Sequence, residues 1–219
     1  MIDQNLEAAV VYSVASATDI AEMAQFLGDC FSRREPPAVA AGFPADKIAE
    51  LVRALCSSPV TTGLSAVARD TGSGKLVGAV LASDFAVPPP EAVEPLVPTF
   101  IPLFAFLEQL DGQYSAIRQI EDGRCLHLFM IGTADDRTGQ GIAGSLLRTC
   151  LTNGQERGYL SAVAEATSKA SKALFGKHGF RELFFARYEE FEMDGKRPFQ
   201  YIKDHQGCAL MEAKIAIDG

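Results

Sequence analysis

Apolar positions fall into short β-rich runs and longer runs with helical spacing. The first is Val10–Val14, VVYSV. In IAEMAQFLGDCF, Ile20, Met23, Phe26 and Leu27 recur every three or four residues, which predicts a helix capped by Thr18 or Asp19. Pro36 and Pro37 are expected to close that region. A second helix is predicted over 44–56. Residues 64–70 and 74–85 predict a hairpin across the turn TGSG. The proline-rich VPPPEAVEPLVP breaks the pattern as a loop or insert, and leads into the apolar helix candidate TFIPLFAFLEQLDGQY. CLHLFMIG, residues 125–132, is nearly continuously apolar, as a central strand covered on both faces requires. A helix over 142–153 follows, with Ile142, Leu146, Leu147 and Cys150 on its inner side.

Residues 159–167, YLSAVAEAT, form the next strand, and Ser168 is placed to cap a helix in SKASKALFGKHGF. A strand of hairpin character over 184–193, turning at 194–196, and a last strand, CALMEAKI, complete the chain. The order describes an α/β fold, a mixed central sheet with helices on both faces.

Composition narrows the function. At 219 residues the chain suits one compact domain, 1–219, with a substrate-side insert or lid over 86–120. Twenty Lys plus Arg against 28 Asp plus Glu leave a net charge of −8 and no basic patch, so nucleic acid is not an expected partner. Five widely spaced cysteines form no C-x-x-C pair, which argues against a disulfide scaffold or a zinc knuckle, and no metal is expected. Cys125 and Cys150 read as core residues. The stretch MIDQNLEAAV has neither a basic region nor a hydrophobic signal core. No run is read as approaching the ~20 apolar residues of a membrane span. A cytoplasmic monomer or homodimer is expected.

The loop DRTGQGIAGSLL stands between the apolar strand and its helix. It lacks the Lys-Ser or Lys-Thr of a nucleotide-binding P-loop. Its G-Q-G-I-A-G does match the dinucleotide spacing, but at mid-chain rather than after a first strand. A plain tight turn, with Gly141 admitting close helix–strand packing, is the bland alternative. In any ligand-binding version, small residues let backbone amides converge on an anion at a helix N-terminus, and Arg137 adds a positive charge unless it is only solvated beside Asp135 and Asp136.

ADDRTGQGIAGSLLRTCLTNGQERG resembles the acetyl-coenzyme A signature [QR]-x-x-G-x-[GA] of the GNAT-type N-acetyltransferases. Gly141 fills the central glycine and Ala143 the last small position, while Thr138 stands where the family has Gln or Arg. KALFGKHGFRE resembles the family's late helix, with Phe175 at its usual tyrosine. FSRREPPA, the hairpin, the A-T-S segment and RYEEFEMDGKRPF extend the likeness to the arylalkylamine-type acetyltransferases of insects and nematodes, from about Tyr12 to Ile215. The resemblance implies a single-domain acyl-CoA N-acyltransferase fold that transfers an acetyl group from acetyl-CoA to a primary amine. An arylalkylamine is the first expected acceptor; a polyamine, an antibiotic amine or a protein N-terminus are others. A non-catalytic acyl-CoA sensor is the second class.

The resemblance also implies site residues. The strand at Met130, Ile131 and Thr133 would pair with the pantetheine arm and polarise the thioester. Arg137, Thr138, Gly139, Gln140, Gly141, Ile142 and Ala143 would hold the pyrophosphate, with Ser168 and Lys172 across the cleft. Glu35, before two prolines, is the first expectation for the general base; a surface ion pair with Arg33 or Arg34 is its bland reading. His127 is the rival, unless a backbone partner satisfies it in the core. Ser171 is a candidate for acceptor binding or proton return. His178 is expected to face solvent or the adenine end, and His205 the acceptor pocket, with Phe100, Phe104, Phe106, Tyr114, Phe184 and Phe185 as further lining candidates. Cys30 as a nucleophile finds no activating neighbour in the sequence.

Overall fold

A computed structural model describes residues 9–215; the N-terminal segment read above for a leader lies almost wholly outside them. The elements run β1 (Val10–Val14), α1 (Ile20–Arg34), α2 (Pro36–Ala41), α3 (Ala45–Leu55), α4 (Pro59–Leu64), β2 (Ala66–Asp70), β3 (Leu76–Asp84), α5 (Val97–Ile117), β4 (Cys125–Thr133), α6 (Ile142–Glu156), β5 (Ser161–Ala166), α7 (Lys169–Lys177), β6 (Arg181–Arg187) and β7 (Gly207–Lys214). Most expected elements form within a few residues of their bounds. Pro36 and Pro37 do not close the region: they occupy the first turn of α2, where a missing N–H costs nothing. The short helix α4 is an addition to the expected elements and takes only Leu64 from the predicted hairpin.

The sheet has seven strands in the order β1-β2-β3-β4-β5-β7-β6. Every neighbouring pair is antiparallel except β4 with β5. The expected hairpin at 194–196 is a single bridge between Met193 and Lys196. β6 instead pairs with β7, which also pairs with β5.

Two features shape the centre. First, β4 and β5 pair only from Cys125 to His127, after which they part. The edge of β4 from Leu128 to Thr133 is left without a strand partner on that side. Second, the β3–β4 register slips between Leu81↔Met130 and Ala82↔Leu128, which makes Phe129 the extra residue of a bulge. The bulge resets the alternation. Leu126, Leu128 and Ile131 join the core under α6, whereas Cys125, Phe129 and Met130 join the cores under α1, α3 and α5.

Close approach of helices to the sheet fixes the site's edges. A Cβ at Gly78 would stand 2.8 Å from Leu146 and 2.9 Å from Ile142, so α6 rests directly on β3. This is the role expected of Gly141, which instead has open space around it and φ +78°. On the opposite face a Cβ at Gly132 would stand 2.8 Å from Cys30 Sγ, so the C-terminal half of α1 lies on β4. Helix α5 belongs to a segment, Glu91–Ile117, that does have the length and mean hydropathy (1.2) of a membrane span, contrary to the sequence expectation. Phe106, Leu110 and Tyr114 of this helix are fully buried in the core beside β6 and β7.

Candidate active site

The gap between β4 and β5 opens into a cleft of about 360 Å³. One wall is β4 from Leu128 to Thr133; the other is Glu165, Thr167 and the first turns of α7. At its outer end stand Thr138 and Ala143, at the entry to α6. Gly139 and Gly141 both adopt positive φ, a conformation that favours glycine, and turn the chain into the helix. Gly141 caps α6 without a side-chain bond, so the first-turn amides are left for another acceptor. Ile142 is buried beneath the helix, and only its amide is available to a ligand.

Glu35 occupies the corner between α1 and α2 with extended backbone (φ −78°, ψ 122°). Its Oε2 accepts from the Ala38 amide at 2.5 Å, an N-cap for α2. The side chain is not on the surface: the residue is 8% exposed and lines the cleft. Arg33 and Arg34, its expected surface partners, both pair with Asp135. No donor meets Glu35 Oε1. Burial pushes the carboxyl from 4.5 up to about 7, with the Ala38 amide and the Thr167 side chain opposing the rise.

Arg34 also reaches Cys30 Sγ at 2.6 Å and the Thr133 carbonyl, a neighbour that sequence alone did not reveal for this cysteine. These contacts tie the end of α1 to β4 and hold Glu35 at the cleft.

Ser168 and Ser171 form a reciprocal capping box at the start of α7: each side chain accepts from the other's backbone N–H at 3.1 Å. Both also line the cleft. Phe175 lines it too, packed on Phe180, and offers no acidic proton. Lys172 turns away, ion-paired with Glu182 and lying 5.1 Å over the Phe185 ring. Arg137 is likewise committed, to Asp70 at 2.6 Å. Of the residues expected around the donor, Met130, Ile131, Thr133, Thr138, Ala143 and Ser168 line the cleft, whereas Arg137, Gly139, Gln140, Gly141, Ile142 and Lys172 do not.

His127 is satisfied by a carboxylate rather than by backbone. Its Nε2 lies 2.7 Å from Glu165 Oε2. Burial opposes a charge on the ring, and Glu165 outweighs it, so the imidazole's pKa is raised. Burial also opposes the Glu165 carboxylate, whose pKa the attraction and hydrogen bond of His127 nevertheless hold down. Asp111, from α5, lies close enough to Glu165 for each carboxyl to perturb the other's ionisation. Burial and the Glu165 charge push Asp111 up to about 8. Sequence reading gave neither Asp111 nor Glu165 a role in this cluster.

The remaining candidates scatter. Phe100 borders the cleft and Phe104 a second cavity, while Phe106 and Tyr114 are core. Phe184 packs beside β7 and Phe185 is 38% exposed. His205 accepts from the Lys169 amide at the head of α7, away from both cavities. His178 Nδ1 meets the Leu174 carbonyl, and its ring lies against Gly144 of α6.

Residues 43–180 match the family model described as the acetyltransferase (GNAT) family. Solved structures of similar fold include the C-terminal condensation domain of Ebony in complex with beta-alanyl-dopamine (TM-score 0.83, 18% identity, 94% of this chain and 99% of that one). Arylalkylamine N-acetyltransferase 2 from Aedes aegypti matches with TM-score 0.77 and 16% identity, over 94% of this chain and 99% of that one. The Drosophila melanogaster polyamine N-acetyltransferase, which forms N-acetylagmatine, matches with TM-score 0.72 and 19% identity, over 94% and 100%.

Proposed function

The chain belongs to the acetyltransferase (GNAT) family, and from that premise we propose that it moves the acetyl group of acetyl-CoA onto the primary amine of a small molecule, an arylalkylamine first among them. The observation that carries the reading is Glu35, a buried carboxyl near pKa 7 that lines the cleft where β4 and β5 part and keeps one oxygen without a hydrogen-bond partner.

The cleft suits the donor. Pantetheine amides have the free edge of β4 at Met130, Ile131 and Thr133 to pair with, and the pyrophosphate has the amides from Thr138 through Gly139, Gln140, Gly141 and Ile142 to Ala143. With Arg137 and Lys172 held in ion pairs, backbone amides and the helix dipole carry the anion. Glu35 takes a proton from the ammonium, directly or through water. The free amine attacks the thioester carbon and the N–C bond forms, the nitrogen gives up its second proton to solvent, the C–S bond breaks, and the thiolate is reprotonated by solvent through Ser171. A β4 amide near Met130 or Ile131 polarises the carbonyl. Glu35 is preferred over His127 because the imidazole is held 2.7 Å from Glu165, which raises its pKa and favours the protonated ring over a free base. A passive acyl-CoA sensor would leave Glu35 facing bulk solvent, and it is buried. The segment 86–120, through α5, borders the substrate side as a lid.

The test is thiol release from acetyl-CoA with tryptamine, tyramine, phenylethylamine, spermidine and an N-terminal peptide. The expected result is release above the no-amine background, with the acetylated amine found by mass. Flat rates with every amine, together with no calorimetric binding of acetyl-CoA, overturn the reading.

A further inference from the structure

Beneath α3, α4 and α5 lies a second cavity of about 620 Å³. Its walls are mainly apolar, and Val60, Val87 and Val97 at its edge are 47%, 45% and 38% exposed. No lysine or arginine lines it. Its charged groups are Asp84, Asp111 and His127. Asp84 is fully engaged: it accepts from the Ala86 and Gly123 amides and from the Tyr159 hydroxyl.

Leu51 and the bulge residue Phe129 line both this cavity and the donor cleft. Asp111 and His127 face the cavity, and their partner Glu165 faces the cleft. The Glu165 side chain is 3% exposed, and no N–H or hydroxyl donor meets its Oε1. Asp111 Oδ1 is in the same position. A proton shared between the carboxyls satisfies such a pair, and so does a cation arriving from the cavity.

We infer that this cavity receives the acceptor, its apolar body between Phe85, Phe104 and Phe129 and its primary ammonium held first against the Asp111–Glu165 pair before it passes to Glu35 in the cleft, and that it rejects amines carrying a carboxylate. The inference rests on the acetyltransferase reading and names the substrate class of that site. It makes Asp111 a specificity residue. Phe85 and Phe129 present their edges to the His127 ring, at centroid distances of 5.4 and 5.6 Å, and complete the boundary between apolar wall and polar end.

The exchange has a definite proton balance. Asp111, facing Glu165 on β5, His127 on β4 and Glu108 on its own helix, holds a proton at neutral pH. An ammonium takes that proton's place, Asp111 ionises, and one proton leaves to solvent. No bond to carbon changes. Phenylethylamine and phenylalanine share a ring and differ by one carboxylate, which would meet two carboxyls, no lysine or arginine, and an imidazole, His127, already engaged by Glu165 at 2.7 Å.

The experiment titrates each compound into the protein saturated with coenzyme A, by calorimetry at pH 7 in two buffers of different ionisation enthalpy. Phenylethylamine is expected to bind at least about tenfold more tightly than phenylalanine and to release roughly one proton. Asp111→Asn keeps the shape and a donor toward Glu165; it should abolish the proton release and weaken phenylethylamine about tenfold, with coenzyme A affinity unchanged. Val97→Trp, at the rim, should weaken phenylethylamine without touching Asp111. Phenylethylamine that does not bind, that binds no better than phenylalanine, or that ignores both variants overturns the inference. Acetylation of an amine by a protein indifferent to Asp111→Asn would do so while leaving the acetyltransferase reading standing.

Discussion

Replacing Glu35 by glutamine should make the protein more stable and less active at once. Burial lifts the carboxyl from 4.5 to about 7. At 1.36 kcal/mol per unit, holding the ionised form in the fold above pH 7 costs about 3 kcal/mol. The sign follows from proton linkage. Between pH 4.5 and 7 the unfolded chain has lost this proton and the folded chain keeps it, so wild-type stability falls as pH rises across that window and levels off above it. Glutamine does not titrate, and its carbonyl oxygen can still accept from the Ala38 amide.

Allowing for an imperfectly paired amide, Glu35→Gln should gain about 1–3 kcal/mol at pH 8, roughly 3–10 °C in Tm for a chain of this size. The gain should shrink toward zero near pH 4.5. The assay is thermal or urea unfolding of both proteins from pH 5 to 8.5, beside kcat/KM over the same range. Activity should fall about 10²–10⁴-fold, and the wild-type rise with pH near 7 should disappear. A stability difference that is independent of pH, or a fall in activity below threefold, would refute the reasoning.

Other residues carry further expectations. Ser168→Ala should cost about 1 kcal/mol of stability by losing the capping box, read from urea midpoints, whereas Ser171→Ala should add a fall in kcat at unchanged KM for acetyl-CoA. Gly141→Ala puts a Cβ at φ +78°, in open space on the donor side. It should cost about 1–2 kcal/mol in the fold and raise the acetyl-CoA Kd about tenfold by calorimetry. Arg137→Ala should change that Kd less than about threefold, because the guanidinium is committed to Asp70; a larger change would place Arg137 on the pyrophosphate. His127→Gln leaves Glu165 buried without its cation and should destabilise by about 3–5 kcal/mol in urea unfolding.

Sequence alone determined what is local. The apolar run of β4 and the period of α6 follow from which side chains must leave water. The glycine turn follows from backbone freedom, and Ser168 as a cap from the four free amides of a helix start. The motif order around Gly141 and Glu35 marked the family and both ends of the cleft.

What tertiary structure decided is everything that depends on which element covers which. Pro36 and Pro37 could end one helix or begin another, and only packing chose. Sequence allows His127 as either a base or a satisfied core residue, and its partner lies 38 residues away on a strand that meets β4 for only three residue pairs. Arg137 finds Asp70 across 67 residues, a partner that the neighbouring Asp135 and Asp136 did not foretell. The pKa of Glu35 is likewise a property of its surroundings: a carboxyl before two prolines is pushed up to about 7 because α1 lies on β4 and the fold withholds water from it.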